Sequence, residues 1–140
     1  MKKSTTELEN ILNQAKTFDD YLTSEEDNFS QTPLPELLKE LMKKKNMSAS
    51  ELIARSGLDR TYTYQILSGA KHPSREKIEA IAFALSLTLE EVQTLLRHAG
   101  YPTLYARNPR DSILIFVLQR HGSLADVNEL LFDYGYEILG

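Results

Sequence analysis

The sequence predicts an all-α protein built from short helices. Three observations support this fold class. Apolar residues recur at the three- and four-residue spacing of helices along most of the chain, and no segment between residues 33 and 99 alternates as a half-buried strand would. Residues that start helices and glycines that end them separate these segments. The last part of the chain also repeats the pattern of the part before it.

The composition is that of an ordinary globular protein. The chain has 140 residues, no cysteine and a net charge of −4, so disulfides and thiolate metal sites are excluded. The longest apolar run, from Ile113 to Leu118, is too short to span a bilayer, and the N-terminus has no signal peptide. We therefore expect a cytoplasmic protein. The scattered histidines and the lack of catalytic motifs favour a protein that is not an enzyme and needs neither metal nor other cofactors.

Charge is distributed unevenly along the chain. Residues 1–32 hold three basic and seven acidic side chains, a balance of −4. Residues 33–87 hold nine and six, a balance of +3, and residues 88–140 hold four and seven, a balance of −3. The basic surplus of the middle segment is compatible with nucleic acid binding but too small to demonstrate it.

The N-terminal segment, residues 1–32, is predicted to be an acidic amphipathic helix followed by a linker. Ser4 and Glu7 have the spacing of a capping box, and apolar residues then recur at helical spacing from about Thr5 to Leu22. Residues 23–32 show no periodicity.

A second helix is predicted to follow the linker. Thr32 is expected to cap it and Pro33 to occupy its first position. The helix ends at a basic triplet, residues 43–45, which we interpret as a favourable partner for the negative end of the helix.

The stretch from Ser48 to Pro73 predicts two short helices joined by a tight turn. Ser48 and Glu51 form a capping box that starts the first helix, and Gly57 ends it because glycine adopts a left-handed backbone at little cost. Asp59 then caps a second helix, Arg60 to Ser68. Gly69 and Pro73 prevent this helix from continuing. The unit is therefore a helix-turn-helix.

Two more helices are predicted before Gly100. Ser74 caps the first of them. Thr88 and Glu91 form a capping box for the second, which ends at Gly100. Five helices from Pro33 to Ala99 are expected to form a compact bundle.

The region after residue 100 resembles the end of this bundle. With a shift of 35 residues, the segment Arg75–Leu104 overlays Arg110–Leu139 with nine identities, where roughly two are expected from composition. The caps also match, because Ser123 and Asp126 fall on Thr88 and Glu91. We interpret residues 101–140 as a helix pair that repeats the last two bundle helices. The alternative is that two amphipathic helix pairs share leucine positions by chance.

If the repeat holds, the apolar run from Ile113 to Leu118 lies on a helix rather than a strand. Because it is apolar nearly all round, it should be buried on more than one side. It must then pack on the first pair, on the N-terminal helix or on another subunit.

The segment from Leu37 to Leu87 resembles the phage-repressor and Cro family of helix-turn-helix domains, the XRE type. The residues that carry the resemblance are Leu52, Gly57, Ile66, Gly69 and Pro73, with the tail Gly69-Ala70-Lys71-His72-Pro73-Ser74. The resemblance implies a five-helix, repressor-like DNA-binding domain over residues 33–100, with the second motif helix in the major groove of double-stranded DNA.

The resemblance also implies which side chains meet DNA. Base-reading positions are Arg60, Thr61, Tyr64 and Gln65, and phosphate-contacting positions are Tyr62, Ser68, Lys71 and His72. Arginine suits guanine, glutamine suits adenine, and threonine can meet a thymine methyl group. The alternative for Arg60 and Gln65 is a solvated helix face, and for Tyr64 it is a role in packing. The chain differs from the family pattern at Ala49, Ile53 and Thr63.

These inferences indicate a sequence-specific transcriptional regulator that binds double-stranded DNA as a homodimer. The dimer contact is expected in the C-terminal helix pair of residues 101–140, in the N-terminal helix, or in both. The alternative is a non-enzymatic adaptor that uses the helix-turn-helix scaffold, or the N- or C-terminal helices, to bind a protein. A third hypothesis is that the acidic N-terminal helix covers the basic motif and inhibits it.

Overall fold

The computed structural model describes residues 32–140, and all regular secondary structure in this range is α-helical, which confirms the predicted fold class. The described helices are α1 (Leu34–Lys44), α2 (Ala49–Ser56), α3 (Arg60–Ser68), α4 (Arg75–Ala84), α5 (Leu89–His98), α6 (Pro109–Gln119) and α7 (Leu124–Asp133). Residues Pro33–Gly140 form one compact unit. None of the described helices is long and apolar enough to cross a membrane. The predicted N-terminal helix and nearly all of its linker lie outside the described residues.

The start of α1 differs from the prediction. Pro33, with an extended backbone at φ −55° and ψ 142°, is the N-cap, and no side chain caps the helix. The Pro33 carbonyl accepts the first helical hydrogen bond, from the Leu37 N–H at 3.0 Å. Pro35 in the first turn has no N–H that would need a cap, so Thr32 is not required as one.

The two helices of the motif begin and end where the sequence predicts. Gly57 and Gly69 end them with left-handed backbones at φ 72° and 87°. The capping box of α2 forms only in part. The Ser48 hydroxyl accepts from the Glu51 N–H at 3.1 Å, but the Glu51 carboxylate faces that same hydroxyl at 3.4 Å. The Ser48 side chain therefore provides the cap without the reciprocal bond that a complete box requires.

Three helix pairs share one kind of turn: α1–α2, α4–α5 and α6–α7. Four residues join the helices of each pair. The second of the four has a left-handed backbone, at Asn46 (φ 53°), Ser86 (φ 55°) and His121 (φ 55°). The fourth caps the next helix through its side chain, at Ser48, Thr88 and Ser123. The same local chemistry thus builds three hairpins.

The repeat predicted from the sequence is present in the structure. A shift of 35 residues carries α4 (Arg75–Ala84) onto residues 110–119 of α6, and it carries α5 onto α7. It also relates two side-chain clasps. Gln93 donates to the Leu104 carbonyl at 3.0 Å and accepts from the Leu104 N–H at 2.7 Å. Asn128 makes the same two bonds to Leu139, at 2.8 and 2.7 Å.

The α4–α5 hairpin lies between the other two. On one side α2 packs on α4 and α1 packs on α5, while α3 packs on α1 and α2. On the other side α7 packs on α4 and α6 packs on α5. The apolar run from Ile113 to Leu118 is therefore helical and stacks on the first helix pair. Leu114, Val117 and Leu118 are buried there, but Phe116 remains 47% exposed, so the helix is not enclosed all round.

A cluster of four charged side chains joins the second and third hairpins. Arg75 donates to Glu79 at 3.2 Å and to Asp111 at 3.1 Å, and Arg110 donates to Glu79 at 2.7 Å. Burial raises the pKa of Glu79, against the lowering influence of Arg110 and Arg75. The hydrogen bond from Arg110 to Glu79 in turn raises the pKa of the guanidinium. The cluster balances two positive against two negative groups, as burial of charge requires.

Candidate nucleic-acid interface

The backbone of α3 is fixed by its own sequence and by the core beneath it. Asp59 caps the helix by accepting from the Tyr62 N–H at 3.0 Å. Ile66 and Leu67 are buried, and Thr63, at a position where the family pattern has an apolar residue, is only 1% exposed. The Thr63 hydroxyl donates to the Asp59 carbonyl at 2.8 Å, which satisfies its polar group. Thr63 therefore occupies this buried position with its hydroxyl group hydrogen-bonded.

The outer face of α3 carries the side chains that the sequence assigns to base reading. Arg60, Thr61 and Tyr64 are exposed and Gln65 is half-buried. Together with Ser68 they line one open depression on the surface. The four predicted base-reading residues thus share one face, opposite to the face that packs on α1 and α2. A guanidinium, two hydroxyls and an amide offer the donors and acceptors that base edges require.

The predicted phosphate contacts have more varied surroundings. Tyr62 is half-buried and packs against the core. The Ser68 hydroxyl donates to the Gln65 carbonyl at 3.1 Å and lies 3.4 Å from the Ala70 N–H. Lys71 is exposed on the loop after α3. Of these three residues, Lys71 presents the charge that best suits a phosphate.

His72 connects the loop after α3 to the end of α5. Its Nε2 lies 2.8 Å from the Ala99 carbonyl, and because a carbonyl only accepts, this nitrogen carries a proton. The imidazole lies beside the ring of Tyr101, with centroids 5.7 Å apart, and the Tyr101 hydroxyl donates to the Pro73 carbonyl. These contacts, which the sequence did not indicate, fix the loop. A phosphate contact by His72 stays a prediction.

Two lysines of the basic triplet at the end of α1 pair with a specific carboxylate, in addition to lying near the negative end of the helix. Lys44 and Lys45 contact the Glu91 carboxylate at 2.9 and 3.1 Å. Burial alone would raise the pKa of Glu91, but the Thr88 N–H and the two ammonium groups lower it to about 2. The pairs tie the end of α1 to the start of α5. They also neutralise part of the basic surplus that the sequence places in this segment.

The end of the described chain lies against the turn between α2 and α3. A Cβ added to Gly140, whose φ is 100°, would lie 2.7 Å from the Ser56 carbonyl oxygen and 3.8 Å from Leu124. Gly57 also faces the Gly140 backbone, at 3.9 Å from an added Cβ. No pattern in the sequence indicated this contact, because it joins segments more than eighty residues apart. The second copy of the repeat therefore supports the motif directly.

Two short helices joined by a glycine turn, with a polar outer face on the second helix, define a helix-turn-helix DNA-binding domain. Residues 37–95 match the family model of the Cro/C1-type HTH DNA-binding domain. The match confirms the predicted resemblance and indicates a DNA-binding regulator. Comparisons with curated proteins and with solved structures gave no match. No group of side chains in residues 32–140 is suited to hold a metal ion.

Proposed function

We propose that this protein is a sequence-specific transcriptional regulator that places α3 in the major groove of double-stranded DNA. The observation that carries the proposal is the position of Arg60, Thr61, Tyr64 and Gln65 on one outer face of a helix whose ends are both fixed. Because the backbone of this helix is already ordered, only the side chains lose conformational freedom when they meet base edges.

The chemistry of each side chain suggests what it reads. Arg60 donates two parallel hydrogen bonds to a guanine, and Gln65 pairs with an adenine in the same bidentate way. Thr61 meets a thymine methyl group, and Tyr64, which is 45% exposed, supplies contact area and a hydroxyl.

Backbone contacts position the helix in the groove. Lys71 and Ser68 face phosphate oxygens at the end of α3, and Tyr62 and His72 complete the set. A homodimer presents two such helices to half-sites one helical turn apart, which gives specificity that one short helix does not reach alone.

The experiment that tests this proposal is selection of bound sequences from random double-stranded DNA at near-physiological salt. We expect an enriched motif of two related half-sites. Arg60→Ala and Gln65→Ala should each weaken binding by about 1–3 kcal/mol and relax preference at one base pair. Arg107→Ala, which removes an exposed arginine from the α5–α6 loop, is the matched control and should leave the motif unchanged.

Two outcomes would contradict the proposal in different ways. If Arg60→Ala and Gln65→Ala both leave the enriched motif intact, the assignment of α3 as the reading helix is wrong. If the wild-type protein shows no salt-sensitive binding to any DNA, the scaffold acts as an adaptor for a protein partner instead.

A further inference from the structure

The two copies of the repeat bury equivalent positions to different extents. In α4–α5, the residues Ile78, Ile81, Leu95 and Ala99 are all buried. Their equivalents in α6–α7 are Ile113 and Leu130, which are half-buried, Phe116, which is 47% exposed, and Tyr134, which is 70% exposed. The α4–α5 hairpin has neighbours on both sides, whereas α6–α7 makes its main contacts in the described chain with α4–α5 alone. The open positions therefore mark the side that lacks a second neighbour. We call Ile113, Phe116, Leu130 and Tyr134 the outer face.

Neighbouring hairpins in this chain pack by one rule. At both sides of α4–α5, the first helix of one hairpin contacts the second helix of the other. This exchange is what a two-fold rotation produces, whereas a simple translation would place first helices together. Two-fold rotation is also the symmetry of the commonest homodimers.

An ion pair within the chain indicates which charged residues pair when a second hairpin packs on the outer face. Lys45, directly after α1, contacts Glu91 of α5 at 3.1 Å. Arg120 occupies the place of Lys45 after α6, since each is the C-cap that precedes a left-handed residue. Asp126 occupies the place of Glu91, since each is the acid of a complete capping box. A second α6–α7 hairpin that follows the same rule brings its Arg120 to Asp126.

The charges of α6 and α7 favour a contact of α6 with the α7 of a second copy over a contact of α7 with α7 or with the N-terminal segment. Helix α7 exposes Asp126, Glu129 and Asp133 and contains no basic residue. Packing α7 against another α7 would therefore oppose like charges, which is destabilising. The N-terminal segment of residues 1–32, with its balance of −4, would also bring acidic groups to an acidic helix. Pairing α6 with the α7 of a second copy places Arg120 against these carboxylates instead.

We propose that the outer face of α6–α7 binds the same face of a second copy of this chain, with α6 of each copy against α7 of the other. The interface deepens the proposed function, because it would set the distance between two recognition helices. Its test does not depend on DNA, so its failure and the failure of DNA reading are separate results.

Sedimentation equilibrium of the full-length protein without DNA, over about 1 to 100 µM, tests the interface. We expect the wild type to form a dimer. Phe116→Lys should raise the dissociation constant of the dimer by about tenfold or more, because it removes the aromatic ring from the contact and places a second positive charge beside the Arg120 guanidinium, which lies 3.5 Å from the centre of that ring. Phe132→Lys is the matched control. Phe132 is 75% exposed, and its equivalent in α5, Arg97, is exposed as well, so it lies outside the outer face.

A second pair of variants tests the crossed geometry. Arg120→Glu should weaken the dimer several-fold through repulsion of Asp126, while Arg107→Glu changes the net charge equally at a site in the α5–α6 loop and should have little effect. Circular dichroism melts establish that each variant folds. A wild type that stays monomeric at 100 µM, or a dimer that responds equally to each variant and its control, would overturn the proposal.

Discussion

The hairpins α4–α5 and α6–α7 have the same local structure but differ in how much of each is buried. They share helix lengths over the repeated residues, a left-handed turn residue, a capping box and a side-chain clasp to the chain eleven residues further on. Yet α4 is buried along nearly its whole length, whereas α6 leaves Phe116 and Gln119 exposed. The comparison shows that capping and periodicity specify a hairpin, while the neighbours decide how much of it is buried.

The two turns also show how one geometry accepts different side chains. In α4–α5 the Leu87 N–H donates to the Ala82 carbonyl, and in α6–α7 the Gly122 N–H donates to the Val117 carbonyl. In α4–α5 the donor Leu87 is large and the acceptor Ala82 is small. In α6–α7 the donor Gly122 is small and the acceptor Val117 is large. An added Cβ on Gly122 would collide with Cγ1 of Val117. In these two turns a small residue makes room for a large one. The equivalent turn between α1 and α2 holds two flexible methionines, because the Met47 N–H donates to the Met42 carbonyl there.

The largest difference between the hairpins that a mutation can probe is the charge cluster between them. Glu79, which is 1% exposed, holds two arginines, whereas its equivalent in the second copy is Leu114. We expect Glu79→Ala to lower the free energy of unfolding by about 3–5 kcal/mol, because it leaves two partly buried arginines, Arg75 and Arg110, with Asp111 as their remaining shared partner. Denaturant unfolding measures this loss. Glu76→Ala, an exposed change one turn earlier, should cost less than about 0.5 kcal/mol, and equal losses would refute the role of the cluster.

The next effect concerns volume in the turn of the second copy. Gly122→Ala should destabilise the protein by about 1–3 kcal/mol, because Val117 is β-branched and has little freedom to move aside. The double variant Val117→Ala with Gly122→Ala imitates the small residue at position 82 of the first copy. In a double-mutant cycle from thermal or denaturant unfolding, we expect a favourable coupling between the two changes. Strict additivity would show that the two side chains do not compete for space.

The smallest effect tests the ion pair that joins α1 to α5. The pKa of Glu91 is about 2 in the folded protein against an ordinary value of 4.5, so its stabilising contribution is complete above pH 4.5 and is lost as the pH falls toward 2. Glu91→Gln should therefore lower stability by about 1 kcal/mol near neutral pH and by less under acid conditions. Unfolding curves across this pH range measure the change. Glu90→Gln, an exposed neighbour, should not alter the acid dependence.

Much of the motif could be predicted because the signals that specify it are local. Asp59, Gly57 and Gly69 act on backbone groups within three or four residues, so their effect is readable from the sequence. The predicted cap Thr32 was wrong, because Pro33 is the N-cap and Pro35 leaves one backbone N–H fewer to satisfy in the first turn. The base-reading positions were implied by the family resemblance, and their side chains lie on one side of α3.

The long-range contacts could not be predicted in this way. The anchoring of His72 by Ala99, the clasp of Leu139 by Asn128 and the approach of Gly140 to Ser56 depend on how separate hairpins meet. Spacing along the chain carries no direct information about such pairs. One indirect indication came from the apolar run from Ile113 to Leu118, which is expected to need neighbours on more than one side.

The helices, most of their ends and the repeated hairpin can be read from the sequence, because caps, glycines and apolar spacing act within one or two turns of a helix. The enclosure of α4–α5 between two hairpins, and the exposure of an apolar face on α6–α7, follow from how the hairpins pack on one another. The same packing brings Arg75, Glu79, Arg110 and Asp111 into one cluster. The reason is physical: burial and charge pairing depend on which surfaces come together, and one hairpin sequence pattern is compatible with either environment.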